Sequence, residues 1–424
     1  MNQKTVHITD MDLSGRGIGK FDGKAVFIPG AVIGDTVTFE TVISKKRYDT
    51  GKLFEIITPS SFRRDPECIA SDKCGGCVFM NVTRDVELDV KKRAVESAFR
   101  RSGLKNIGVS GILSGKCHAY RNKAVFHRGD NNKYGFFSAG SNKVYSPDSC
   151  MILPDSFIQI KNYTEDYFRK HDSLVPNSIM IRLGDNGIMV AAEVESFGAS
   201  IDFLKTLKSE FSYIISVYEC IGYPTDSAAR FRLTDGDEFI EISFMDNRLR
   251  ISPRSFFQIN NEIAEAFCNE IIKELSPVVG DLILDLYCGI GTIGLSVARA
   301  FKTAKIIGIE INDSAVKDAR VNCSLSGITN AEFICRDAGS ADYNGLMPHA
   351  LIVDPPRYGL SDSMIKNILK ISPKKLIYMS CDPGTLAGNS VKLTDGGYRI
   401  TKCIAGDMFP FSPHVETLCI FEKI

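Results

Sequence analysis

Polar and apolar positions fall into three textures along the chain. Over residues 4–57 they alternate in short runs, VHITDMD, AVFIPG, DTVTFETVISKK and DTGKLFEIIT, separated by glycine-rich breaks such as SGRGIGKFDGK. A period of two between turn residues predicts four or five strands, and so many in so short a stretch predicts a small barrel of the oligonucleotide-binding (OB) type. Pro59 closes that unit. In the next stretch, Val86, Val90, Ala94, Val95, Ala98 and Phe99 recur at helical spacing, with Lys91, Lys92, Arg93, Arg100 and Arg101 on the opposite face. Short strand-like runs come after it. From residue 251, the apolar runs LILDLYC, KIIGIE, AEFIC, ALIVD and KLIYMS alternate with helical stretches, the pattern of a parallel, doubly wound sheet. The expected fold is therefore multidomain, β plus α/β. It has an OB-like barrel over 1–58, a mixed central domain over 59–250 and a Rossmann-like domain over 251–424. The helix at about 84–102 is a candidate to pack on the third domain.

Composition narrows the setting. The N-terminus lacks the apolar segment of a signal peptide, and no apolar run approaches the roughly 18 residues of a membrane span. A cytoplasmic, membrane-free protein is expected, and its thirteen cysteines need a role other than disulfides. The net charge is zero, but residues 1–150 carry 24 Lys and Arg against 16 Asp and Glu, a net of +8. That asymmetry suggests a polyanion at one end of the molecule. Lys45, Lys46, Arg47 and Tyr48, at a break between barrel strands, suit phosphate contact and base stacking.

The chemistry lies at the ends of the predicted C-terminal strands, where doubly wound sheets bind ligands. Residues 284–295, LDLYCGIGTIGL, contain a literal GxGxxG at Gly289, Gly291 and Gly294, and Glu310 ends the next strand. The motif alone permits NAD or S-adenosylmethionine. Asp285 before the loop favours the second, because a sulfonium and an amino group tolerate a carboxylate that a pyrophosphate does not. Asp337 ends a further strand, where it can face the adenine amino group or cap a helix. LIVDPPRYG (351–359) presents Asp354 on a turn stiffened by two prolines. YMSCDPGTL places Cys381 at a strand mouth, as a buried apolar side chain or as a nucleophile. PHVET supplies Glu416, with His414 beside it. A DPP turn followed by Arg357 rather than an aromatic, together with a cysteine, points from nitrogen to carbon methylation. Carbon 5 of a pyrimidine becomes nucleophilic only after a thiolate adds at carbon 6, and a separate base must then remove the carbon-5 proton.

SFFQIN, DLYCGIGTIGL, GIE, DPPRYGL, SCDPGTLA and HVET, with YRNKAVFH and GFFSAGSNKVYSPDSC in the middle of the chain, resemble the RNA uracil-C5 methyltransferases over nearly the whole length. The resemblance implies S-adenosylmethionine as methyl donor, Cys381 as nucleophile and Glu416 as base. It places Gln258, Tyr287, Thr292, Glu310, Asp337 and Asp354 at the cofactor. Gly388-Asn389 departs from the family's common Arg-Asp, a change expected on the helix surface, and Asn142 departs from a common histidine. Cys68, Cys74 and Cys77 form C-x5-C-G-G-C, with Cys150 as a fourth candidate, a set open to zinc or an iron–sulfur cluster. The pattern resembles the branch of the family that holds a [4Fe-4S] cluster, and the barrel resembles a TRAM domain, an RNA-binding module. That combination implies 23S ribosomal RNA as substrate, with the T-loop of tRNA as the alternative. A monomer is expected. The rival readings are an RNA N-methyltransferase, which has no need of Cys381, and an RNA-binding assembly factor.

Overall fold

The structure, a computed structural model, describes residues 3–171 and 173–424. Strands β1 (Lys4–Met11), β2 (Arg16–Phe21), β3 (Lys24–Pro29), β4 (Thr36–Ser44) and β5 (Tyr48–Thr58) close into a barrel in the order β1-β2-β3-β5-β4. The alternation turns Val6, Ile8, Val26, Ile28, Val37 and Phe39 inward as one core. Close contacts tie the barrel to the next segment of chain. Gly15, at φ +71°, has the Val78 carbonyl oxygen 2.3 Å from where a Cβ would stand, so no other residue allows this approach. Asp35 accepts from the backbone N–H groups of Val32 and Ser60 and pairs with Arg63 at 2.5 Å. Burial alone would raise this carboxyl, but those donors outweigh it and hold it below its usual range.

Next come α1 (Arg84–Arg101) and the short β6 (Ile112–Leu113). A second sheet holds β7 (Lys123–Arg128), β8 (Tyr134–Phe137), β9 (Val144–Tyr145), β10 (Ser178–Leu183), β11 (Ile188–Glu193), β12 (Ile214–Ile221) and β13 (Arg230–Gly236), in the order β13-β12-β11-β10-β7-β8-β9. Helices α2 (Asp155–Lys170) and α3 (Ile201–Glu210) share its core.

The hairpin β14 (Ile240–Phe244) and β15 (Asn247–Ile251) leads into α4 (Asn261–Glu274). Then come β16 (Leu282–Leu286), α5 (Thr292–Ala300), β17 (Lys305–Glu310), α6 (Asp313–Leu325), β18 (Ala331–Cys335), β19 (Ala350–Val353), α7 (Asp362–Ile371), β20 (Lys375–Ser380), α8 (Pro383–Asp395), β21 (Tyr398–Gly406) and β22 (Glu416–Lys423). The third sheet runs β18-β17-β16-β19-β20-β22-β21-β6. Its first five strands are parallel, as the alternating pattern predicts, but β22 runs antiparallel between β20 and β21. The pattern could not show this reversal, since six consecutive residues of β22 are buried and a strand covered on both faces reads alike in either direction.

Helix α1 differs from its reading in one respect. Val95, Ala98 and Phe99 enter the core of the third sheet, yet Lys91, placed by periodicity on the solvent face, is wholly buried. Its ammonium meets Glu87 at 2.9 Å, the Phe409 carbonyl at 3.0 Å and Asp407. Arg84 bridges Glu87 and Asp407. Glu87 also accepts from the Phe411 N–H at 2.6 Å, and the Phe411 carbonyl accepts from Val78 (2.8 Å) and Phe79 (3.1 Å). The partners that draw Lys91 inward come from the loop between β21 and β22, far beyond any local pattern. Among the described residues no helix is long and apolar enough to cross a membrane.

Candidate active site

Across neighbouring strands, the edge of the third sheet carries one site residue per strand. Asp337 follows β18, Glu310 ends β17, Tyr287 follows β16, Asp354 follows β19, Cys381 follows β20 and Glu416 begins β22. Because β22 is antiparallel, its first residue lies at the same edge as the last residues of the others. Ser380 pairs with Thr417, so the next step of the ladder sets Cys381 across from Glu416.

The glycine loop shapes the floor. Gly291, at φ +83°, precedes Thr292, the first residue of α5, and no side chain caps that helix end. Asp285 accepts from the Gly294 N–H at 2.9 Å, and a Cβ on Gly294 would stand 2.9 Å from the same carboxylate. Tyr287 has φ +63° and is fixed by its N–H to the Ile309 carbonyl at 2.8 Å. Glu310 accepts from the N–H groups of Gly289 (3.1 Å) and Asn312 (2.8 Å), which aims its carboxylate and leaves lone pairs for ribose hydroxyls. Asp337 caps no helix. It is exposed and accepts from the Gly339 N–H in a local turn.

Gln258, Tyr287, Thr292, Asp285 and Asp354 line one small cavity of about 50 Å³. Glu310 lines a second, of about 220 Å³, that shares Phe256 and Gly289 with the first. The segment bearing Gln258 is held from three directions. Asp318 of α6 accepts from Arg250, Ser252 and Ser255. Arg182 donates to the carbonyls of Ser252 and Ser255. Asn122, from YRNKAVFH, donates to the Gln258 carbonyl at 2.9 Å. Burial pushes the Asp354 carboxyl up to about 7. Burial, then the nearby Asp354 and Glu310, push Asp285 up to about 8 against the pull of the Gly294 N–H. A buried carboxyl and a half-buried one, in a cavity with no lining cation, suit a cationic ligand.

Cys381 is exposed, unlike an ordinary packed cysteine. Asp382, the next residue, caps α8 through the Thr385 N–H at 2.8 Å, and Pro383 opens the helix. Partial burial, then Glu416 and Asp354, raise the thiol to about 11, while the Arg357 guanidinium pulls it down. Arg357 is itself exposed and lies 3.6 Å from Asp382. Glu416 is 5 % exposed, and burial followed by Asp354 raises its carboxyl to about 8. The exposed His414 ring sits against Phe409 at 5.4 Å, its pKa lowered mainly by burial.

Cys68, Cys74, Cys77 and Cys150 line one cavity of about 230 Å³ away from this edge. Burial and then the charges of Cys150, Cys74 and Cys68 raise Cys77 to about 12. Cys150 rises to about 11, again by burial first. The cysteine-bearing loop is clipped to β8 by the Gly75 N–H to the Phe137 carbonyl at 3.1 Å. Among the described residues no three His, Cys, Asp or Glu side chains are gathered so as to hold a metal ion. The four thiols thus share a cavity without forming the tight shell that a single zinc requires.

The pattern of the family described as tRNA (uracil-5-)-methyltransferase matches residues 234–340 and 336–424, and that of the TRAM domain matches 3–54. A protein of Listeria innocua named "Uncharacterized RNA methyltransferase" is 31% identical over 440 residues, covering 97% of this chain and 96% of its own. The chain belongs to this family. It is an RNA methyltransferase. A relative in Clostridium acetobutylicum with the same kind of name is 29% identical over 450 residues, spanning all of this chain and 97% of its own. Among solved structures, Pyrococcus abyssi tRNA (uracil-54, C5)-methyltransferase with S-adenosyl-L-homocysteine superposes with a TM-score of 0.78 over 98% of this chain and 99% of that one, at 23% identity. That likeness shows a shared fold.

Two features of this site were not legible as such. Phe256, inside SFFQIN, stands 61% exposed at the junction of the two cavities. Its signal is an aromatic beside Gln258 with no core to enter. Asn389 is not a surface change: it is 7% exposed and accepts from the Leu360 N–H (2.9 Å) and the Tyr378 hydroxyl (2.8 Å). It sews the DPPRYGL turn to α8, so the side chain beside Cys381's helix also steadies Asp354.

Proposed function

We propose that this enzyme methylates carbon 5 of a uridine in RNA through a covalent adduct on Cys381. The carrying observation is the register that sets Cys381 opposite Glu416, one strand from Asp354. Bound S-adenosylmethionine supplies the methyl group as an electrophilic sulfonium. Gln258, Tyr287, Thr292 and Asp354 hold its methionine end, and Glu310 and Asp337 its adenosine end. The Cys381 thiolate adds to carbon 6, and the pair of the 5,6 double bond moves to the carbon-4 carbonyl as an enolate. The enolate pair bonds carbon 5 to the methyl carbon as the methyl–sulfur bond breaks, its pair staying on the sulfur of the departing S-adenosylhomocysteine. Glu416, as carboxylate, then removes the carbon-5 proton; that pair re-forms the double bond and expels the Cys381 thiolate. A base whose pKa is raised towards the working pH keeps both ionisation and driving force. Arg357 favours the thiolate, and the carboxyls that oppose it are offset by a cation in the cavity. The test is RNA carrying 5-fluorouridine at the target: fluorine cannot leave as a cation, so the wild-type protein should cross-link in a denaturing gel. Absence of that band with an RNA the enzyme otherwise methylates would sink the covalent route.

The cysteine cavity supports a [4Fe-4S] cluster held by Cys68, Cys74, Cys77 and Cys150, since four thiols around a roomy cavity suit a multi-iron core better than one ion. Its task is structural. Anaerobic protein should carry about four irons with matching sulfide, and stoichiometric zinc without sulfide would replace this reading. The substrate is proposed to be 23S ribosomal RNA, on the joint presence of the TRAM domain and the cysteine quartet. The family description, which names tRNA, favours the T-loop of tRNA as the second reading. Mass spectrometry of both RNAs from a strain lacking the protein decides between them.

A further inference from the structure

The cavity of about 220 Å³ beside the cofactor carries more positive charge than the reaction uses. Lys123, Arg182 and Arg254 line it, together with Thr225 and Ser227. Lys123 of β7 and Arg182 of β10 are direct cross-strand partners. Like charges so placed oppose each other, and here Arg182 is buried and Lys123 half-buried. Arg182 is committed to the Ser252 and Ser255 carbonyls, and Arg254 donates to the Ser227 carbonyl. Among the described residues the Lys123 ammonium has no protein hydrogen-bond acceptor or ion-pair partner, and it remains open to the cavity. The acids nearby do not answer it: Glu310 is engaged by two backbone N–H groups, and Asp226 stands exposed at the rim. Burial, with Arg182 and Arg121 beside it, pushes the amine down to about 7. A half-buried lysine among arginines, with no acid of its own, gains from an anion that enters the cavity.

We propose that this cavity is an anion site for one phosphate of the RNA backbone, with Lys123 as the contacting cation. The inference rests on the methyltransferase reading above. The cofactor's own carboxylate offers the same kind of charge, but the residues proposed for its methionine end line the neighbouring cavity; Glu310, proposed for its adenosine end, lines one wall here, and the phosphate is assigned to the wall of Lys123, Arg182 and Arg254. Phe256 and Gly289 border both spaces. RNA brought to the first cavity therefore passes beside the space that Lys123 lines.

The experiment uses the full chain and a uridine-bearing RNA stem–loop. The wild type, Lys123→Met and Lys123→Arg are titrated with the RNA over a salt series, and with S-adenosylhomocysteine by calorimetry. Lys123→Met should weaken RNA binding by up to about tenfold and lower the log–log salt slope by about 1. Lys123→Arg should restore both, and S-adenosylhomocysteine affinity should be equal in all three. An unchanged salt slope in Lys123→Met, with its melting temperature retained, overturns the phosphate site. A loss of S-adenosylhomocysteine affinity with RNA binding intact assigns the charge to the cofactor and also overturns it. Cross-linking of the wild type to the 5-fluorouridine form of the same RNA reports separately on the methylation reading. If that fails while the slope still depends on Lys123, the site stands and the reaction does not.

Discussion

The molecule holds two groups of unusual thiols, and they differ in company. Cys381 stands exposed at the sheet edge between a capped helix start and the carboxyls of Glu416 and Asp354. Cys68, Cys74, Cys77 and Cys150 face one another in a cavity of the middle region. Cys381 and, in the cavity, Cys74, Cys77 and Cys150 are raised above a free thiol, with different causes after burial: carboxylates for the first, sister thiols for the others. On the function proposed above, the lone thiol among acids serves as a nucleophile and the four thiols around one cavity as cluster ligands. Residue type is the same, and neighbours set the chemistry.

The sharpest way to break this contrast is Cys381→Ala. Turnover should fall to background, measured as 5-methyluridine by mass spectrometry, while S-adenosylhomocysteine still binds, because no cofactor contact is assigned to the sulfur. Retained methylation would make Cys381 as inert as a packed cysteine. Glu416→Gln should slow product formation by roughly 10²–10⁴-fold. It should also build up a protein–RNA adduct on a denaturing gel, because addition and methyl transfer precede proton removal. On the other side of the comparison, Cys77→Ser should lose iron and lower the melting temperature by roughly 10 °C, while any protein that stays folded keeps methylating slowly.

A smaller effect separates the two groups by pH. Asp354 and Asp285 rise from 3.8 to about 7 and about 8, and Glu416 from 4.5 to about 8. The folded, ligand-free protein therefore binds more protons than the unfolded chain between about pH 4 and pH 8, so its stability falls as pH rises through that window. Melting curves at pH 6 and pH 8.5 should show the drop, and Glu416→Gln should flatten it. A wild-type curve that rises with pH would mean these carboxyls are already paired with cations.

Much of this was readable from local pattern. Alternation gave the barrel strands, and the βα rhythm placed Asp285, Glu310, Asp354 and Cys381 at strand ends. Pairings across long stretches of chain were not readable. The inward turn of Lys91 depends on Asp407, 316 residues away. The insertion of β22 antiparallel decides that Glu416 meets Cys381, and no periodicity encodes a strand's direction. Asn389 looked superficial because its partners, Leu360 and Tyr378, lie on other elements. The opposition of Lys123 and Arg182 needed a register.

The buried knot of Glu87, Lys91 and Asp407 has a consequence for how the chain is made. At about 5–20 residues per second, a ribosome needs roughly 15–60 s to synthesise the 316 residues between Lys91 and Asp407. Throughout that interval α1 exists without the partners of its charges and without the sheet that covers Val95, Ala98 and Phe99. The helix is thus made long before it can find its place, and in the meantime its apolar stripe stays uncovered. A chain that stops before Asp407 cannot close the knot.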